Sequence, residues 1–306
     1  MAHVTSEATH TTITDPRQAL EAGLQYEKSG LLDRALEHYR RAATITREGA
    51  VASEAWRRQA SVHRTRCEWD KALDAARAAA DVAKRIDHGN LLAEAINAEA
   101  LVHQSQGRFD EARRLLTQAL ERCSGERVRG IALQNLGSIA AETGDLETAE
   151  QRFLESSECF QRAGYRWGIA FALNNSGRAA LERGELGRAE STLEQAVLAA
   201  QEVGDLDLSA LATMNFAEAL AAHGNVARAE ELASISLGYF TIEGNTWRRV
   251  ECLRVVGDIA QRRGQREAAL RCYQQGLRLA GEIGARHEVD LLRGRLAKLA
   301  DASRSS

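Results

Sequence analysis

A single proline stands among the 306 residues of this chain, and only 5% of them are aromatic. With one proline, chain breaks elsewhere must come from turn chemistry rather than from a ring that bars helix continuation. So few aromatics exclude a large aromatic core and a base-stacking platform. No apolar run approaches the ~20 residues of a membrane-spanning helix. Neither sign of charge dominates, since 40 Lys and Arg against 43 Asp and Glu give −3. That balance supplies no general attraction to nucleic acid or to an anionic membrane. The five cysteines, Cys67, Cys123, Cys159, Cys252 and Cys272, stand apart, without CxxC or a histidine at ligand spacing. An odd, scattered set fits reduced thiols rather than a disulfide framework. The opening MAHVTSEATHTTIT has neither the basic start nor the apolar stretch of a secretory signal. The expectation is a soluble, cytoplasmic protein with no membrane partner and no direct nucleic-acid partner.

What the chain has in abundance is Ala, Leu, Glu, Arg and Gln, all good helix formers. A short phrase recurs through it: GLLDRA at Gly30, CEWDKA at Cys67, GRFDEA at Gly107, GDLETA at Gly144, GELGRA at Gly184, GNVARA at Gly224 and GQREAA at Gly264. The spacings are 37, 40, 37, 40, 40 and 40 residues. Before each phrase runs an amphipathic stretch such as GIALQNLGSIAAET, and after it another such as AEQRFLESSECFQRAG. Glycine ends the first helix, polar residues start the second, and the alanine five places on lets the two approach closely. The unit is a helix–turn–helix, and neighbouring units bury their apolar faces by stacking.

The small residues Gly137, Gly177, Ala217 and Gly257, the glycine seven later and the alanine five after that resemble the tetratricopeptide repeat family. Trp56 falls at the family's early aromatic position. The period exceeds the usual ~34 and the family's late proline is absent, which fits longer helices. This longer variety is similar to repeats of signalling scaffolds and of the sensor regions of large bacterial transcription regulators, to which FQRAGYRWGIAFALNNSG is especially close. The resemblance implies an all-α, right-handed superhelical solenoid of seven helix–turn–helix repeats plus a C-terminal capping helix. Repeats are expected at about 16–48, 50–87, 90–124, 127–164, 166–204, 206–244 and 246–284, with the cap at 286–302. Residues 1–14 read as a disordered tail and 303–306 as a frayed one. No phosphate loop of the GxxxxGKS or GxxxxGKT type and no DNA reader accompany the repeats.

Catalysis needs convergent polar groups, and none are legible. His38, His63, His88, His103, His223 and His287 lie in separate stretches without ligand spacing, and RHEVD lacks a second histidine four residues after His287. The Asn174-Asn175-Ser176 glycosylation match sits within a helical pattern and is accidental. No enzyme, cofactor or metal is expected, which moves function to the surfaces.

Asn135, Asn175 and Asn215 are forty residues apart, each nine before a phrase glycine. In peptide-binding relatives of the resemblance, the matching position lines the concave groove and often carries asparagine. A carboxamide donates and accepts together, so it can hold a peptide backbone regardless of sequence. The same asparagines could instead bond between adjacent helices and set repeat register. Gln134 and Asn174 flank the ladder, and Ile131, Phe171 and Leu211 form a rail one turn upstream that suits packing or ligand contact. Ser138, Arg178 and Glu218 form a polar row downstream. Arg57, Arg58 and Arg64 cluster in the second repeat and Arg254 and Arg262, with Asp258, in the seventh; these are solvated faces or anion contacts. Trp167 and Trp247, at helix starts, suit inter-repeat junctions or binding. Together the pattern predicts a scaffold or adaptor that captures a protein or peptide segment, an acidic one fitting the arginines. A regulatory sensor module beside a separate transcription factor or ATPase, and a self-assembling homo-oligomer, remain open.

Overall fold

The computed structural model describes residues 15–301. Both expected tails lie outside the described residues. Among the described residues every element is an α-helix. In chain order they are α1 (Pro16–Lys28), α2 (Leu32–Ile45), α3 (Gly49–Thr65), α4 (Trp69–Arg85), α5 (Gly89–Ser105), α6 (Phe109–Arg122), α7 (Glu126–Glu142) and α8 (Leu146–Arg162). They continue as α9 (Arg166–Glu182), α10 (Leu186–Val203), α11 (Leu206–His223), α12 (Val226–Ile242), α13 (Thr246–Arg262), α14 (Arg266–Glu282) and α15 (Arg286–Asp301). Two compact units, residues 1–135 and 136–306, divide the chain. Within each, helices pack sequentially: from α1 to α6 and from α8 to α15 each helix meets its neighbour in the chain, and first helices of hairpins also meet the next first helix, as α9 meets α11 and α11 meets α13.

The phrase glycines stop the first helices as their chemistry requires. Gly184 takes φ 80°, and behind it the amide of Glu185 donates to the carbonyl of Ala180 at 3.0 Å. That bond closes the helix end in the manner of a Schellman turn. Cys67 occupies the equivalent place with φ 56°, a conformation that costs an L-residue roughly 1–2 kcal/mol. The proline is used where a helix tolerates it: Asp15 caps α1 through a bond from the Arg17 amide, with Pro16 in the first turn.

The two short periods have a local cause. Helices α2 and α6 have 14 residues each, whereas α4, α8, α12 and α14 have 17. The short ones run into extended caps, Thr46 at ψ 141° and Cys123 at ψ 139°. The longer ones are followed by left-handed residues such as Asp87, Gly164 and Gly244. About one turn fewer of second helix removes the three residues by which 37 falls short of 40.

Each hairpin closes on a small residue of its first helix facing a residue sixteen places later in its second. A Cβ on Gly23 would lie 2.4 Å from Tyr39, on Gly137 2.7 Å from Phe153, on Gly177 2.5 Å from Leu193 and on Gly257 2.4 Å from Tyr273. Where the small residue is alanine, the partner at the same offset shrinks: Ala60 goes with Ala76, and Ala217 with Ala233, all four buried. Ala100 with Leu116 is the one mixed case. Size is thus conserved across the pair rather than at either position, which keeps interior packing dense. In the second unit the largest cluster joins Leu193, Met214, Phe216, Leu220, Phe240 and Ile259.

Candidate functional site

In the first unit half-buried side chains of the first helices carry paired charge. Arg57 on α3 reaches Glu94 on α5 at 3.1 Å, and both Arg57 and Arg58 approach Glu54 at 3.9 and 3.7 Å. Arg64 donates to the Ser105 hydroxyl at 3.4 Å, and burial lowers its pKa from the ordinary arginine value. Asn135, half-buried, donates from Nδ2 to the Asn97 carboxamide oxygen at 2.7 Å. Gln134 beside it is buried, and Ile131 is partly covered.

The second unit repeats the amide pair. Asn215 on α11 is 1% exposed and donates to the Asn174 oxygen on α9 at 2.7 Å. Asn174, equally buried, passes its own Nδ2 to Asn175 at 3.2 Å. Asn97 and Asn174 stand ten residues before their phrase glycines, and their partners stand nine before the next. A carboxamide of one hairpin therefore accepts from a carboxamide of the following hairpin. Asn135, Asn174 and Asn215 thus bond between the first helices of successive hairpins. Asn135 and Asn215 each bond an asparagine of the preceding hairpin, whereas Asn175 accepts from Asn174 of its own helix and lines a depression of about 230 Å³ with Ser138, Phe153 and Arg178.

A larger groove, about 570 Å³, runs over α9, α11, α13 and α15. Arg178 and Glu182, joined at 3.1 Å, belong to both depressions. Further along, Arg254 is held by Glu218 at 3.0 Å and faces Glu288 at 3.5 Å. Arg295 grips Asp258 through two bonds, 2.7 and 3.1 Å, and the Tyr273 hydroxyl donates to the same carboxylate at 2.7 Å. Glu288 is 6% exposed, and burial, opposed by Arg254, raises its pKa above the ordinary glutamate value. Burial also pushes the Tyr273 hydroxyl upward, with the bond to Asp258 adding to it. Trp247 is 48% exposed at the groove's edge.

The rail residues divide. Leu211 is in the core cluster of the second unit. Phe171 stacks on Trp167 at 4.9 Å, and the Trp167 indole donates to Asp205 at 2.9 Å. The arginines picked out by sequence, Arg57, Arg58, Arg178 and Arg254, all face carboxylates of the same chain. Sequence reasoning missed Asn97, whose place ten residues before Gly107 was readable, and Glu251, Glu288 and Arg295. The last two come from α15, read only as a cap, and no spacing announces them. Among the described residues no group of His, Cys, Asp and Glu could hold a metal ion, and no helix is long and apolar enough to cross a membrane.

No curated protein matches the sequence. Among solved structures, a signal transduction ATPase with numerous domains and a tetratricopeptide repeat sensor, from Pyrococcus horikoshii, superposes with a TM-score of 0.68 at 12% identity. The match covers 90% of this chain but 44% of that one, so the chain spans less than half of the ATPase. A Rap protein complexed with Competence and Sporulation Factor gives 0.65 at 14% identity, over 88% of this chain and 76% of that. Aspartyl phosphate phosphatase F from Bacillus subtilis gives 0.65 at 13%, over 86% and 70%. At such identities the likeness is one of fold. Two family models, both described as tetratricopeptide repeat, match the sequence itself, one at residues 51–124 and 129–202, the other at 97–160 and 174–238. With the recurring phrase, the hairpins and the small-to-large pairs in agreement, the chain belongs to the tetratricopeptide repeat family.

Proposed function

We propose that this protein is a non-enzymatic scaffold that captures a protein or peptide segment in the groove over α9, α11, α13 and α15. The supporting observation is the groove itself, about 570 Å³, edged by a half-exposed Trp247 and floored by charged side chains. Asn175 supplies a backbone-reading carboxamide in the adjoining depression, which shares Arg178 and Glu182 with the groove, and Trp247 supplies an aromatic anchor at the groove's edge. Arg178 and Arg254 are already matched by Glu182 and Glu218. An acidic partner therefore has to displace carboxylates that stand beside both arginines, and a segment of mixed charge suits the lining better. A second reading, a sensor module working beside a separate ATPase or transcription factor, draws on the likeness to the ATPase with a repeat sensor and on the Rap protein seen with its factor.

Selection of a displayed random-peptide library on the full chain tests the proposal. Enriched peptides are expected to lose about tenfold or more in affinity for Asn175→Ala and for Trp247→Ala, at unchanged helicity. Lack of enrichment, or peptides indifferent to both substitutions, refutes it.

A further inference from the structure

The first unit holds a cavity of its own. It measures about 580 Å³ and lies where α2 and α4, the second helices of successive hairpins, flank α3. Three helix faces converge on it. Trp56, Gln59 and His63 follow one face of α3; Lys71, Asp74, Ala75 and Ala78 follow one face of α4; Arg40 and Thr44 are one turn apart on α2. The volume falls in the range of small-ligand pockets, which are mostly apolar with a few placed polar groups.

The polar groups here are unusual. Gln59 is 2% exposed, yet its Nε2 has no hydrogen-bond partner. Native interiors rarely leave a buried amide unpaired, because the desolvation is uncompensated. Apolar neighbours cannot answer it: Trp56 is packed on Ala60, Ala75 and Ala76. His63 is engaged elsewhere, its Nδ1 2.5 Å from Glu68. An acceptor brought by a ligand into the cavity would complete the amide. At the rim, Arg40 is exposed and has no carboxylate partner among the described residues. Arg40 and Lys71 outnumber Asp74 among the lining charges, although Lys71 shares Glu68 at 3.5 Å.

We infer that this cavity between α2, α3 and α4 binds a small planar aromatic carboxylate. The ring lies against Trp56 and the alanine wall of α4, a carboxylate oxygen accepts from the Gln59 amide, and the charge is met by Arg40. Surface alone would not select this class; the unpaired amide in a cavity that Trp56 also lines, with an uncommitted guanidinium at the mouth, does.

The test uses 2-naphthoate as probe on the full chain, followed by calorimetry and by the Trp56 indole resonance. Saturable one-to-one binding with a shifted Trp56 signal is expected. Gln59→Leu should weaken it about tenfold while raising the thermal midpoint, because the unpaired amide is gone. Ala78→Trp should abolish binding by filling the cavity. Arg40→Gln should weaken 2-naphthoate but not the neutral 2-naphthalenemethanol. The site is refuted by an unmoved Trp56 signal up to about 1 mM probe. It is equally refuted by binding that survives both Gln59→Leu and Ala78→Trp. Equal loss of acid and alcohol on Arg40→Gln refutes the carboxylate.

Discussion

Single asparagines carry different burdens although the sequence writes them alike. Asn215 and Asn174 are each 1% exposed and bonded to one another, so removing one leaves the other buried without its partner. Asn215→Ala is expected to cost about 1–3 kcal/mol, and adding Asn174→Ala should cost less than the sum of the single changes. Asn175→Ala removes only the 3.2 Å acceptor of the Asn174 amide and should cost about 1 kcal/mol, less than Asn215→Ala. Denaturant unfolding of the four variants decides this; additive losses for the buried pair would show that their bond contributes nothing. The forty-residue recurrence was legible because it is a statement about position within a helix. Which member meets another asparagine was not, because that depends on what the next hairpin presents opposite it: Asn97 faces Asn135, and Asn174 faces Asn215.

At the scale of the hairpin, the controlling quantity is the combined size of the facing pair. Gly177 admits Leu193 only because it has no Cβ; an alanine there would place one 2.5 Å from Leu193 Cγ. Gly177→Ala is expected to destabilise by about 1–3 kcal/mol through overpacking. Gly177→Ala with Leu193→Ala copies the pair Ala217 and Ala233 used by the next hairpin, and should recover part of the loss relative to the sum of both single effects. Thermal unfolding of the three variants checks it; strict additivity would mean that the two positions do not share one space. The small residue was visible in the sequence as a recurring Gly or Ala. Its partner sixteen residues later was hidden by its variety, since Tyr39, Ala76, Leu116, Phe153, Leu193, Ala233 and Tyr273 share no chemical type. The 37-residue spacings stood in the sequence, but only the structure shows that they come from shorter second helices, α2 and α6.

For the whole molecule, pH dependence exposes the charges that sequence could count but not place. A formal charge of −3 says nothing of Glu288, whose burial raises its pKa. The folded chain keeps this proton at pH values where the unfolded chain has released it. Its stabilising contribution is therefore complete below the ordinary glutamate pKa and is lost as pH rises through the raised value. Glu288→Gln should flatten that part of the decline, seen as a thermal-midpoint difference between variant and parent that changes across this window. Parallel profiles would show that Glu288 titrates alike in both states. Glu68 runs the other way: its bond to His63 lowers its pKa, so its contribution is present above the ordinary value and is lost as pH falls through the lowered one.

The sequence by itself determined the helical hairpins, their period, their left-handed stops and the family, because apolar spacing, glycine and small residues act within a few turns of chain. Only the tertiary structure decided that Asn174 belongs to Asn215, that Arg254 sits between Glu218 and Glu288, and that the buried Gln59 Nε2 is left unpaired at a cavity Trp56 also lines. Those facts depend on the offset at which one hairpin packs on the next, and that offset is set by side-chain volumes summed over both, which no local pattern records.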